Sequence, residues 1–275
     1  MDRLRTALQL YKEQQGKDGL PAHSLLNNGH SAPTAILYTQ TPSLDIPPSV
    51  LRRHRVMAAY EKGAFVDAYK ILRTQVMHRL GENGWNVVGV TSPGRGEGKT
   101  LTAVNLAVSL AMEMTQTVLL VDSNLRDPGV HHVFGLENFP GLADYLLGNQ
   151  PVEDLLLHPG IGQLVILPAG RAVPNSTEIL TSPKMLELVG EFKHRYPSRI
   201  VVFDLPPLLH TADVLAFSPY TDALLMVVEE GRTTVEELQR ALSLVKESRP
   251  VLGTVLNKAG RSAATPATIR KMLQL

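Results

Sequence analysis

From residue 85 onward the chain alternates short β-branched apolar runs with amphipathic segments, and this alternation restricts the fold more than any other feature. The runs are WNVVGVTS (85–92), TVLLVD (117–122), LVILPAG (164–170), RIVVFDLP (199–206), ALLMVVEE (223–230) and PVLGTVLNK (250–258). Between them lie helical patterns such as 100–114, 182–196 and 234–248. A run that is apolar throughout must be buried on both faces, which a strand achieves inside a sheet sandwiched by helices. The expected fold is α/β, a mainly parallel sheet covered by helices on both faces. Ligands of such sheets bind beyond the carboxyl ends of the strands, so chemistry is expected there.

The first 84 residues follow a different grammar. Leu4, Ala7, Leu8 and Tyr11 recur at helical spacing, so residues 3–15 suit a short amphipathic helix. From Gly16 to Val50 the text is rich in Gly, Asn, Ser, Thr and Pro, and Pro42, Pro47 and Pro48 are read as excluding a regular helix. This extension, residues 1–50, is expected to be a partly disordered linker ahead of a domain spanning 51–275. Two helical stretches, 51–60 and 64–80, open that domain, the second with Phe65, Tyr69, Leu72 and Val76 on one side.

Composition bounds the function. With 275 residues, 44% apolar and 19% charged, the chain can bury a sizeable core. A net charge of +1 gives no global field for nucleic acid. Residues 1–80 carry 11 basic and 6 acidic groups, whereas the remainder is net acidic, so any electrostatic docking belongs to the N-terminal portion. The absence of cysteine excludes disulfides, thiolate metal sites and cysteine nucleophiles. No apolar run approaches the roughly 18 residues of a membrane helix, and the start has no signal-peptide core; the expected address is cytoplasmic.

The first apolar run ends in Thr91-Ser92-Pro93-Gly94-Arg95-Gly96-Glu97-Gly98-Lys99-Thr100, followed by a helix. Glycines let backbone amides converge on phosphate, a helix N-terminus adds positive potential, Lys99 reaches the terminal phosphates, and Thr100 can ligate Mg²⁺. The strict phosphate-loop pattern fails only at its first glycine, which is Pro93. Asp122 and Asp204 each end a strand at the same edge, where a magnesium nucleotide needs carboxylates to hold metal or accept a proton. Asn257, after the last run, has two readings: its amide pairs with adenine, or it is an ordinary turn residue.

These residues resemble the bacterial tyrosine kinases (BY-kinases) of capsule and exopolysaccharide synthesis, a branch of the MinD/ParA-like P-loop ATPases. The likeness runs from about Asp67 to Lys258. TSPGRGEGKT resembles the family's Walker A, VLLVDSNLRDP (118–128) its Walker A′ and VVFDLPP (201–207) its Walker B, with NLA (105–107), HHVFGL (131–136), GLADYLLG (141–148), EILTSPKM (178–185) and VLNK (255–258) flanking. The resemblance implies a P-loop NTPase fold using ATP and Mg²⁺. Gly94, Arg95, Gly96, Glu97, Gly98, Lys99, Thr100, Leu101 and Arg126 would contact nucleotide, and Asn257 would read adenine. Lys99, Asp122 and Asp204 would be catalytic, with Thr100, Asp122 and Asp204 around the metal. Asp67, Lys70 and Arg73 resemble the self-association motif E-x-x-R-x-x-R, implying a homo-oligomer. A membrane polysaccharide co-polymerase of the chain-length-determinant type is the implied partner, with the chain peripheral to the inner face of the plasma membrane and its basic N-terminal segment available to lipid.

Two departures qualify that expectation. The second acid of Walker A′ is replaced by Asn124, which can coordinate through oxygen but brings no charge and takes no proton. The family's tyrosine-rich tail is missing, since the last tyrosine is Tyr220; Tyr11, Tyr38 or tyrosines of another protein become the candidate acceptors. The expected activity is an ATP-dependent tyrosine kinase controlling exopolysaccharide polymerisation or export. The alternative is a non-kinase ATP switch acting on the same kind of membrane partner.

Overall fold

The computed structural model describes residues 41–260 except Glu61, Met114, Thr115, Asn138, Asn149, Tyr196 and Pro197. The expected helix at 3–15, most of the linker, Tyr11 and Tyr38 lie outside the described residues.

Six strands form one sheet: β1 (Val87–Thr91), β2 (Thr117–Asp122), β3 (Leu164–Leu167), β4 (Arg199–Asp204), β5 (Ala223–Glu229) and β6 (Val251–Asn257), in the order β3-β2-β4-β1-β5-β6. Every pairing between them is parallel. Because successive side chains alternate across a strand, the apolar runs feed two cores. Val88, Val90, Val118, Leu120, Val202, Leu225 and Val227 face one core, shared with helices α2 (Ala64–Asn83) and α3 (Lys99–Ala111). Val87, Leu119, Val121, Val201, Phe203, Leu224 and Met226 face the other, closed by α7 (Pro183–His194), α8 (Asp213–Phe217) and α9 (Val235–Val245). The remaining helices are α1 (Pro48–Arg53), α4 (Val130–Val133), α5 (Leu142–Leu147) and α6 (Ser176–Leu180). Helix α3 is buried on nearly every face, because α2 covers the side that the sheet does not.

The N-terminal helices correct the sequence reading in three places. Pro48 starts α1 instead of preventing it: at the first helical position the missing N–H is one no helix would satisfy. The stretch 51–60 is not one helix. It breaks at Arg55, whose φ of 56° is left-handed, and resumes as a 3-10 turn at Met57–Ala59. Helix α2 runs to Asn83 and is closed by Gly84 at φ 66°, and its buried stripe is Val66, Tyr69, Val76 and Leu80, with Phe65 exposed. Gly84 accepts the left-handed backbone without a β-carbon clash.

Sheet order sets the site. β4 lies between β1 and β2, with Asp204 in register with both Val90 and Asp122. The loop after β1 and the acids ending β2 and β4 therefore share one edge. Among the described residues, no helix is long and apolar enough to cross a membrane.

Candidate functional site

The segment between β1 and α3 is a tight loop fastened from several sides. Gly96 and Gly98 take φ of 76° and 92°, conformations that glycine adopts at little cost. Glu97 is buried; its carboxylate accepts Gly94 N at 2.6 Å and the Thr233 hydroxyl. From the end of β6, Asn257 Nδ2 donates to Glu97 O at 2.8 Å, and Lys258 Nζ donates to Gly96 O at 2.8 Å. The loop carbonyls are thus engaged outward. No acceptor among the described residues takes the amides of Gly96, Gly98, Lys99 or Thr100. Unclaimed amides at a glycine-rich turn opening a helix form an anion cradle.

Lys99 and Thr100 begin α3 and meet Asp204. Thr100 Oγ1 donates to Asp204 Oδ2 at 2.7 Å, and Lys99 Nζ lies 3.4 Å from Asp204 Oδ1 and 3.0 Å from Thr100 Oγ1. Burial pushes the Asp204 carboxyl above its ordinary range, opposed by the Lys99 charge and the Thr100 hydrogen bond. Burial and then the Asp204 charge push Asp122 up to about 7, against the Val130 and Gly129 amides and Lys99. Asp122 has a structural task as well. Its Oδ1 accepts Asn124 N at 3.1 Å, and its Oδ2 accepts Gly129 N and Val130 N, each at 2.9 Å. One carboxylate therefore holds both ends of the loop 124–130.

A cleft of about 460 Å³ opens over this edge. Arg95, Gly96, Gly98, Lys99, Thr100, Leu101 and Arg126 line it, as the sequence reading places them near nucleotide. Gly94, Glu97, Asp122, Asp204 and Asn257 are not among its lining residues. Asn257 reaches the cleft only through the loop it holds, and its amide nitrogen is spent on Glu97 O. Asn124 lines the cleft; its Nδ2 donates to Asp127 O at 2.5 Å, while its buried Oδ1 has no hydrogen-bond partner among the described residues.

Several contributors were not legible as site residues. Asp127, Pro128, His132 and Thr211 line the cleft, and the buried Thr211 hydroxyl has no partner among the described residues. Arg126 is fixed by Asp213, a fully buried acid 3.2 Å from Nε that also accepts the Ser176 hydroxyl at 2.6 Å. Pairing across 87 residues leaves no spacing signal that could have drawn attention to Asp213.

The association residues divide. Asp67 and Lys70 are exposed on α2. Arg73 is turned inward, donating to Ser109 O at 3.1 Å and pairing with Glu113 at 2.9 Å, so it joins α2 to α3 of its own chain.

No protein-family model matches the chain. It is 32% identical over 210 residues to the tyrosine-protein kinase YwqD of Bacillus subtilis, covering 76% of this chain and 87% of that protein. It is 28% identical to the tyrosine-protein kinase ptk of Acinetobacter johnsonii across 72% of this chain, but spans only 27% of that longer protein. Among solved structures, the kinase domain of VpsO is 31% identical with a TM-score of 0.64, covering 71% of this chain and 96% of that one. The septum site-determining protein MinD of Pyrococcus horikoshii, 24% identical with a TM-score of 0.57 over 68% of this chain and 76% of that one, shares the fold. A glycine loop, a buried lysine and two strand-end acids at one sheet edge, together with relatives of this identity and coverage, place the chain in the bacterial tyrosine-protein kinase family.

Proposed function

We propose that this chain binds ATP with Mg²⁺ in the 95–101 cleft and transfers the terminal phosphoryl group to a tyrosine hydroxyl. The observation that carries the reading is the cluster of Lys99, Thr100 and Asp204 within hydrogen-bond or ion-pair distance at the base of an amide cradle. The donors suit a hard cation. Thr100 Oγ1, Asp204 and the unpartnered Asn124 Oδ1 are oxygen ligands, and Mg²⁺ takes one or two such groups beside phosphate oxygens. When bound, Mg²⁺ neutralises phosphate charge that builds during transfer. Lys99 contributes the fixed cation, and the free amides of Gly96 to Thr100 orient the phosphates.

Asp122, with a carboxyl pushed up to about 7, has the basicity suited to a tyrosine proton near neutral pH. Its Oδ2 is engaged by Gly129 N and Val130 N and its Oδ1 by Asn124 N alone, so Oδ1 keeps a lone pair for the proton. Arg126, anchored by Asp213, faces the same cleft as a cation for the phosphates or the acceptor.

Assembly and partners complete the proposal. Asp67 and Lys70 present an exposed charged face of α2 to a second copy, and a membrane polysaccharide co-polymerase docks and stimulates transfer at the cytoplasmic face of the plasma membrane. The regulated process is capsule or exopolysaccharide production. The ATP-switch reading has one supporting observation: Asn124 brings no charge and spends its amide on Asp127 O. The kinase names of the relatives favour transfer. Lys99→Ala tests the assignment: loss of ATP binding with the fold retained by circular dichroism is expected, and unchanged ATP turnover would remove the assignment.

A further inference from the structure

We propose that Tyr60 is a phosphoacceptor of this chain, modified by a second copy, and that Arg52, Arg53 and Arg55 receive the phosphate. The inference rests on the tyrosine-kinase reading and adds the site that such a kinase would modify on itself. Residues 221–275 contain no tyrosine, so the acceptor candidates within residues 1–275 lie before that stretch. Among the described tyrosines, Tyr69 is buried against α3, while Tyr145 and Tyr220 are partly covered, Tyr145 beneath the Lys184 ammonium and Tyr220 against Phe217. Tyr60 is 36% exposed. Its hydroxyl makes one long, exposed hydrogen bond, 3.3 Å to Arg52 O, which is easily given up. The ring is held meanwhile: Phe65 meets it edge-on at 5.7 Å, and Phe65 is in turn braced by Tyr69 at 5.2 Å.

The surroundings are prepared for a dianion. Residues 46–60, between Asp45 and Glu61, contain no acid, and Arg52, Arg53 and Arg55 are all exposed. Arg55 occupies the left-handed position after α1, φ 56°, where glycine is the ordinary occupant. Keeping an arginine there strains the backbone and gives the segment a third arginine, five residues before Tyr60 in sequence. Guanidinium groups bind phosphate through paired, charge-assisted hydrogen bonds. Tyr60 does not line its own cleft, and its segment is pinned to α3 by Met57 N to Asn105 Oδ1 at 2.7 Å. A second copy must therefore supply the phosphoryl group. The Tyr60 oxygen bonds to the γ-phosphorus, the bond from that phosphorus to the β,γ-bridging oxygen breaks, ADP leaves, and the phenolic proton passes to a carboxylate of the donor copy.

The test is phosphopeptide mapping of the full chain after incubation with ATP and Mg²⁺, using wild type, Tyr60→Phe, Lys99→Ala, and Lys99→Ala mixed with isotope-labelled wild type. Phosphate on Tyr60 in wild type, and on the Lys99→Ala chain only in the mixture, is expected. Tyr60→Phe should lose most phosphotyrosine yet keep ATP hydrolysis. Phosphotyrosine elsewhere with Tyr60 bare overturns this proposal and leaves the kinase reading standing. ADP formation with no phosphotyrosine at all overturns both. The arginine role is read from melting temperature: phosphorylation should raise it in wild type but not in Arg53→Ala/Arg55→Gly, and no rise in wild type contradicts it.

Discussion

The amide of Asn257 fills the space that a β-carbon on Gly98 would need: a carbon built there stands 2.0 Å from Asn257 Nδ2. The end of β6 and the phosphate loop are thereby fitted to each other, although 160 residues separate Asn257 from Glu97, whose carbonyl it holds.

Gly98→Ala should therefore fail twice, through this collision and through its φ of +92°. The strain is about 1–3 kcal/mol. Nucleotide affinity measured by calorimetry should fall about tenfold or more, each 1.4 kcal/mol being a factor of ten. Adding Asn257→Ala removes the collision and should recover only part of the loss, because the backbone strain stays. Full recovery would show that the dihedral angle is innocuous.

The acids give a pH dependence with a defined sign. Asp122 moves from an ordinary 3.8 to about 7 in the folded chain, with burial as the leading cause, and Asp204 moves the same way. Between about pH 4 and 7 the folded chain keeps a proton that the unfolded chain has released. Stability of the ligand-free protein should fall as pH rises through that window, by on the order of a few kcal/mol. Urea unfolding at pH 5 and pH 8 should show a larger loss for wild type than for Asp122→Asn. Equal losses would contradict the assignment.

How much of this was readable in the sequence follows from range of interaction. The strands were legible because each run is apolar throughout, and the glycine loop because its function demands residues that are adjacent in the chain. Pro48 and Arg55 misled because their effect depends on position within a turn: the same proline that ends a helix starts one at its first residue. The roles of Asp213, Glu97 and Thr211 were hidden because their partners lie far away in sequence or, for Thr211, are missing among the described residues. Asn257 was legible in the sequence only as an adenine contact or an ordinary turn residue, because its partner, the loop carbonyl of Glu97, lies 160 residues away.

Asn105 shows how the segment before α2 is held. Its Oδ1 accepts Met57 N at 2.7 Å, and its Nδ2 donates to Arg55 O at 3.0 Å and Leu101 O at 3.1 Å. Asn105→Ala leaves a buried amide and carbonyl unpaired, so a loss of roughly 1–3 kcal/mol is expected in denaturant unfolding. Hydrogen exchange at Met57 should accelerate with it. Unaltered protection would mean that another group holds the segment.

The two halves of the α2 motif should separate experimentally. Arg73→Ala removes its hydrogen bond to Ser109 O and its pair with Glu113, and should lower stability by about 1–2 kcal/mol. Asp67→Ala and Lys70→Ala, exposed on the same helix, should leave the melting temperature unchanged while reducing mass by light scattering in ATP and Mg²⁺. An unchanged mass in both would remove α2 from the association surface.

The central claim is phosphoryl transfer to tyrosine, and phosphoamino-acid analysis after incubation with γ-labelled ATP and Mg²⁺ tests it most directly. Wild type should yield labelled phosphotyrosine on itself or on added tyrosine peptide, with no label from Lys99→Ala. Release of inorganic phosphate by wild type without any phosphotyrosine would contradict the account and establish the nucleotide switch instead.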